Sequence, residues 1–116
     1  LHRPAPRMNP AALEALIARG QDGALLRTTL GKLYLDTGDA ARAHAHLERA
    51  VGLDAQYSAA WKLLGHARAA LGDPAGALAA WTQGIAVAEA RGDLQAAKEM
   101  AVFHRRLQRS LPPDAT

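Results

Sequence analysis

Shifting the chain by 34 residues lays its middle section over itself. Leu30, Gly31, Gly38, Asp39, Ala41, Ala43 and Ala45 meet Leu64, Gly65, Gly72, Asp73, Ala75, Ala77 and Ala79, while Leu47 and Val51 meet Trp81 and Ile85. Scattered identities at this level would mean little. Here they gather at glycines and alanines, which is the mark of one supersecondary unit used twice. Gly31 and Ala43 fall where two antiparallel helices come closest, and a larger side chain there would push them apart. Gly38-Asp39 and Gly72-Asp73 reverse the chain, using the access of glycine to positive φ.

Composition says what the unit is made of. Of 116 residues, 28 are Ala and 17 are Leu, against five Val plus Ile and five aromatic rings. That balance favours helices and excludes a sheet-based fold. An apolar fraction of 49% is too high for a disordered chain. No apolar run reaches the roughly 18 residues a membrane span needs. Six helices follow from the spacing. Asn9-Pro10 starts the first, with Leu13, Leu16 and Ile17 as its stripe and Gly20 as its stop. Asp22 reads as the cap of the second, which carries Leu26, Leu30, Leu33, Tyr34 and Thr37. The third runs from about Ala40 to Gly52. Ser58 reads as the cap of the fourth, with Trp61, Leu64, Ala67 and Leu71 at helical spacing. The fifth starts at Pro74 and the sixth covers Leu94 to about Arg109. Residues 1–8 and 110–116 read as flexible tails around a single helical domain over 9–109.

Charge and chemistry narrow the function. The net charge is +3, and five of the basic residues lie in the flanks (Arg3, Arg7, Arg105, Arg106 and Arg109). Between residues 10 and 100 nine basic residues face ten acidic ones, which argues against a nucleic-acid stripe on the body. Residues 1–10 show no secretory pattern, so the cytoplasm is the default location, and the Arg and Ala bias suggests a bacterial source. There is no cysteine, and the only serines are Ser58 and Ser110. Asp22, Asp39, Asp73 and Asp93 all sit at helix starts, where capping accounts for them. His44 and His46 lie about 200° apart on a helix and cannot share a metal. The expectation is a protein that is not an enzyme, with no cofactor and no metal. Trp61 and Trp81 fall on apolar stripes and read as packing between helices.

On these residues the chain resembles the tetratricopeptide repeat (TPR) family. Residues 24–57 show Leu30-Gly31, Tyr34, Ala43 and Ala50, with Leu47 in the family's aromatic place. They depart at Arg27, where Trp is usual, and at Ala55, where Pro is usual. Residues 58–91 show Trp61, Leu64-Gly65, Ala77 and Trp81, and depart at Gly84 for Ala, Arg68 for Tyr and Glu89 for Pro. The missing Pro lets the fifth helix run to about Ala90. Leu13 and Leu16 fall one period before Leu47 and Ala50, so the first helix reads as the second half of a degenerate repeat.

The resemblance implies an all-α fold: antiparallel hairpins stacked as a short superhelix, closed by a capping helix at 93–109. Met100, Phe103 and Leu107 would pack on the fifth helix, with Lys98, Glu99, Arg105, Arg106 and Arg109 facing water. It also implies a concave groove that binds a protein or peptide partner. The candidate lining is Thr28, Lys32, Leu35 and Asp36, then Lys62, Leu63 and His66, with Thr29 and Ala59 beside them. Lys32, Lys62 and His66 would form a modest basic patch suited to an acidic or C-terminal peptide. Two repeats make a small groove, so binding of about micromolar strength is expected. The Lys and Asn clamp with which some members hold a terminal carboxylate is missing, since Leu63 and Ala97 stand at two of its places. Alternatives are a self-association module, or less readily a nucleic-acid accessory using the basic ends.

Overall fold

A computed structural model describes residues 9–113, so the proposed N-terminal tail and the last three residues of the C-terminal one lie outside the described residues. Six helices follow one another: α1 (Pro10–Ala18), α2 (Ala24–Asp36), α3 (Ala40–Leu53), α4 (Ser58–Ala70), α5 (Pro74–Ala90) and α6 (Leu94–Ser110). The structure is all-helical over the described residues and measures 54 × 28 × 28 Å. Of the residues assigned to the C-terminal tail, Ser110 is instead the last residue of α6, where its hydroxyl donates to the Leu107 carbonyl at 2.7 Å.

The Gly-Asp pairs do two jobs at once. Gly38 and Gly72 take φ of +82° and +79°, a region that costs other residues about 1 kcal/mol or more. The next N–H then folds back over the helix just completed: Asp39 donates to the Tyr34 carbonyl at 2.8 Å, Asp73 to Arg68 at 2.9 Å and Asp93 to Ala88 at 2.8 Å. The same aspartates open the next helix with their carboxylates, accepting from the N–H of Arg42 (3.1 Å), Gly76 (2.9 Å) and Ala96 (3.2 Å). One dipeptide therefore stops one helix and starts another with no residue to spare, and this sets the tight hairpins.

Two caps differ from expectation. Tyr57, not Ser58, precedes α4, and its side chain makes no cap bond. Gly23 precedes α2, also without a side-chain cap, because Asp22 is engaged elsewhere. Its carboxylate accepts both the Nε and a terminal N–H of Arg27, at 2.7 and 2.8 Å. A bidentate charged pair outcompetes a neutral cap bond for one carboxylate.

The small residues lie where the period puts them. A β-carbon on Gly31 would overlap the Leu47 side chain, and one on Gly65 would overlap the Trp81 indole. Both glycines thus occupy the same place in successive hairpins, α2–α3 and α4–α5. Ala43 and Ala77 are fully buried, as are Leu30, Leu47, Leu64 and Met100. Gly84 admits Met100 from α6 and the Trp61 β-carbon from α4, which seats the capping helix on α5. Trp81 is buried and Trp61 half-buried, both as parts of the core.

The array curves. Helix α4 touches both α2 and α6 along one side, whereas α3 and α5 do not approach each other. The first helices of the hairpins therefore line the inner face.

Candidate protein-binding face

The inner face begins with a pocket of about 270 Å³ between α2 and α4, lined by Thr28, Thr29, Lys32, Tyr57, Ala59, Lys62 and Leu63. Four of the seven candidate residues (Thr28, Lys32, Lys62 and Leu63) meet there. They come together because Thr28 and Lys32 are four apart on one helix face, as are Ala59 and Leu63 on the next. Tyr57 is an addition that helical spacing did not point to, since it stands in the turn before α4. It also lines a second pocket of about 270 Å³ with Ala24, Asp54 and Leu25, whose side chain is 68% exposed.

Several of the candidates are engaged within the fold. Thr28 is buried, with its hydroxyl donating to the Ala24 carbonyl at 2.7 Å, so it shapes the pocket wall and offers no free donor. Leu35 and Leu63 pack partly against the core. His66 sits edge-on to two rings, with centroids 4.6 Å from Phe103 and 5.4 Å from Trp81. Burial first, and then the nearby Lys62 charge, push the His66 imidazole below its ordinary range, which favours the neutral ring.

The expected basic patch is therefore not a patch of free cations. Lys32 donates to Asp36 at 3.0 Å, and Lys62 reaches across to Glu99 of α6 at 3.2 Å. Glu99 stays partly exposed but also turns to α4, a pairing the sequence did not suggest. Hydrogen bonds from Lys62 and then from Gln95, together with the Lys62 charge, hold its carboxyl below the usual carboxylate range. The Trp81 indole N–H donates to the Lys62 carbonyl at 3.0 Å, so the same residue is held at both backbone and head group. The signal for Glu99 was present in its spacing: it lies four residues before Phe103, on the face of α6 that turns to α4. The result is an inner surface with an apolar floor and alternating charges, Lys32 with Asp36 and Lys62 with Glu99.

A second polar cluster ties α1 to the body. Arg27 donates to His46 Nδ1 at 3.1 Å, and His46 Nε2 donates to Glu14 of α1 at 2.9 Å, while the His46 ring stacks on Tyr34. Arg27 is only a donor, so it fixes this tautomer. Arg49 lies 3.7 Å from Asp22, and the hydrogen bond from Arg27 leads in holding the Asp22 carboxyl low. Arg27, which stands where a Trp was expected, thus replaces ring packing with a charged bracket. His44 pairs with Glu48 on its own helix at 2.9 Å. Among the described residues there is no cluster of three metal-ligating side chains and no helix long and apolar enough to cross a membrane.

No family model matches the chain. It is 60% identical over 98 residues to a TPR repeat-containing protein of Pseudomonas aeruginosa, covering 84% of this chain and 93% of that one. A protein of Bordetella parapertussis, solved in solution, is 46% identical with a TM-score of 0.77, covering 90% of this chain and 91% of that one. A tetratricopeptide repeat domain protein from Salinibacter ruber has a TM-score of 0.73 at 24% identity, covering 82% of this chain and 95% of that one. This last likeness concerns the fold alone.

Proposed function

The chain belongs to the tetratricopeptide repeat family, whose members serve protein–protein interaction, and from that premise we propose that its inner face holds an extended segment of a partner protein. The observation that carries this is the pocket between α2 and α4, which Ala59, Leu63 and Tyr57 line together with two lysines, Lys32 and Lys62. The work is non-catalytic: a preformed surface lowers the ordering cost of binding, and a few apolar and charged contacts give it direction. Because Lys32 and Lys62 already have carboxylate partners, a ligand carboxylate binds by exchange. It takes the ammonium from Asp36 or Glu99, whose carboxylate returns to water. Such exchange keeps affinity modest and makes it depend on salt.

The test is affinity capture from the source cell, with wild type and the Lys32→Glu, Lys62→Glu double variant side by side. Loss of the captured partner in a variant that still melts cooperatively supports the groove. Undiminished capture by such a variant removes it. The single variant Lys32→Glu guards against instability, since Lys32 is exposed and its ion pair is with Asp36 of its own helix.

A further inference from the structure

Two further recesses lie off the inner face. They lie end to end between α5 and α6, at about 370 and 360 Å³, and share Ile85 and Ala101. Together they make one straight groove running along α6 from Leu94 to Gln108, about 21 Å at the α-helical rise. It is separate from the inner face by helix geometry. Glu99 and Phe103 turn toward α4, while Ala101 and Arg105, each two residues further on, lie about 200° round the helix. The floor is apolar, and Leu94 at one end is 60% exposed. The rim is basic, with Lys98 and Arg105 on α6, and Arg109 continues that edge one turn beyond Arg105. Glu89 is the one carboxylate that lines it.

These cations differ from the lysines of the inner face. Among the described residues no carboxylate forms an ion pair with Lys98, Arg105 or Arg109. An apolar channel about 21 Å long between two helices takes the apolar stripe of a third helix, of about fourteen residues. A rim of unpaired cations selects one whose flank is acidic. A second copy of this chain fits poorly, because a two-fold contact would set Lys98 and Arg105 against the same cations. Nucleic acid would use the rim but would leave Ile85, Ala101 and Leu94 uncovered.

We propose that the α5–α6 groove is a second docking site, which takes an amphipathic helical segment of a partner protein with acidic residues along one edge. The proposal stands apart from the inner-face reading and can fail without it.

The probe is a synthetic helix of about fifteen residues, with a Leu and Ala stripe flanked by Glu, and a twin in which every Glu is Lys. Titrated into isotopically labelled protein, the Glu peptide should shift the amides of Thr82, Ile85, Lys98 and Ala101 and leave those of Thr29, Lys32 and Leu63 in place. Lys98→Glu with Arg105→Glu should weaken it by about tenfold or more and reverse the preference toward the Lys twin. Both positions are exposed, so the variant keeps the fold, which a melting curve checks. Four results would overturn the proposal. These are equal binding of both peptides, shifts confined to the inner face, no groove shifts up to about millimolar peptide, or groove shifts that arise from protein concentration or from a duplex oligonucleotide instead.

Discussion

The two faces of α6 use charge in opposite ways. On the side toward α4, Glu99 answers Lys62, and Phe103 closes over His66 and Trp81. On the side away from α4, Lys98 and Arg105 line a groove and answer nothing among the described residues. The inner side is part of what holds the array together. The outer side carries charges for which folding has no use, and like charges spaced along one helix edge are if anything mildly unfavourable. Two faces of one helix thus divide the labour: one seals the end of the stack, and the other is free to be set by something outside the chain.

The largest test of this division is Phe103→Asp. The substitution removes a ring that contacts Trp81 and His66 and sets a carboxylate against an apolar surface. A loss of about 3 kcal/mol is expected, with aggregation as the capping helix lifts. Denaturant unfolding reads it, and a cooperative monomer of wild-type stability would show that α6 does not seal the array.

The next largest effect compares the two hairpins. A methyl added at Gly65 meets the rigid indole of Trp81, whereas one added at Gly31 meets the branched end of Leu47. An indole that also donates to the Lys62 carbonyl cannot turn aside without losing that bond, while Leu47 has other rotamers. Gly65→Ala should therefore cost about 2–3 kcal/mol and Gly31→Ala about 1 kcal/mol less. Equal losses in calorimetric melts would mean that the second hairpin is no stiffer than the first.

These numbers attach to residues that were legible before any coordinates. Gly31, Gly65, Ala43, Ala77 and the Gly-Asp pairs announce themselves because their work is local: a helix period, a turn or a cap. What spacing did not reveal was who pairs with whom at a distance. Asp22 stood at a helix start and had every appearance of a cap, yet Arg27 claims it. Tyr57 stands in a turn, where periodicity says nothing. Glu99 and Lys62 are 37 residues apart in sequence, and only the stacking of α6 against α4 joins them. The period placed the inner face on α2 and α4, and four of its seven candidate residues line one pocket. Its electrostatics were misjudged, because counting lysines on a face does not count the carboxylates delivered to it from another helix.

A smaller effect separates the inner face by pH. Burial, and after it the Lys62 charge, hold the His66 pKa below its ordinary 6.5, so under that pH the unfolded chain takes up a proton that the folded chain refuses. Stability from this group is complete above about 6.5 and falls as pH drops toward the lowered folded value. A second decline follows at lower pH. Glu99 and Asp22, lowered from 4.5 and 3.8, stabilise the fold above those values and lose that contribution as pH falls through their depressed ones. In urea midpoints measured against pH, His66→Phe should flatten the first decline and leave the second. A first decline that survives the substitution would place its source elsewhere.

The smallest effect is the one on which the comparison finally turns. Lys62→Ala removes the head group that bridges α4 to α6 and should cost about 1 kcal/mol, the ordinary size for a partly buried side chain. Lys98→Ala and Arg105→Ala remove no ion pair, so each should change stability by less than about 0.5 kcal/mol. Glu99→Gln sharpens the point, because with the bridge already broken Lys62→Ala should then cost measurably less, and the shortfall is the coupling between the two. No such coupling should appear between Lys98 or Arg105 and Glu89, the one carboxylate that lines their groove. If Lys98→Ala proved as costly as Lys62→Ala, or coupled to Glu89, the outer cations would belong to the fold after all. The groove between α5 and α6 would then lose the charges that mark it for an acidic helix.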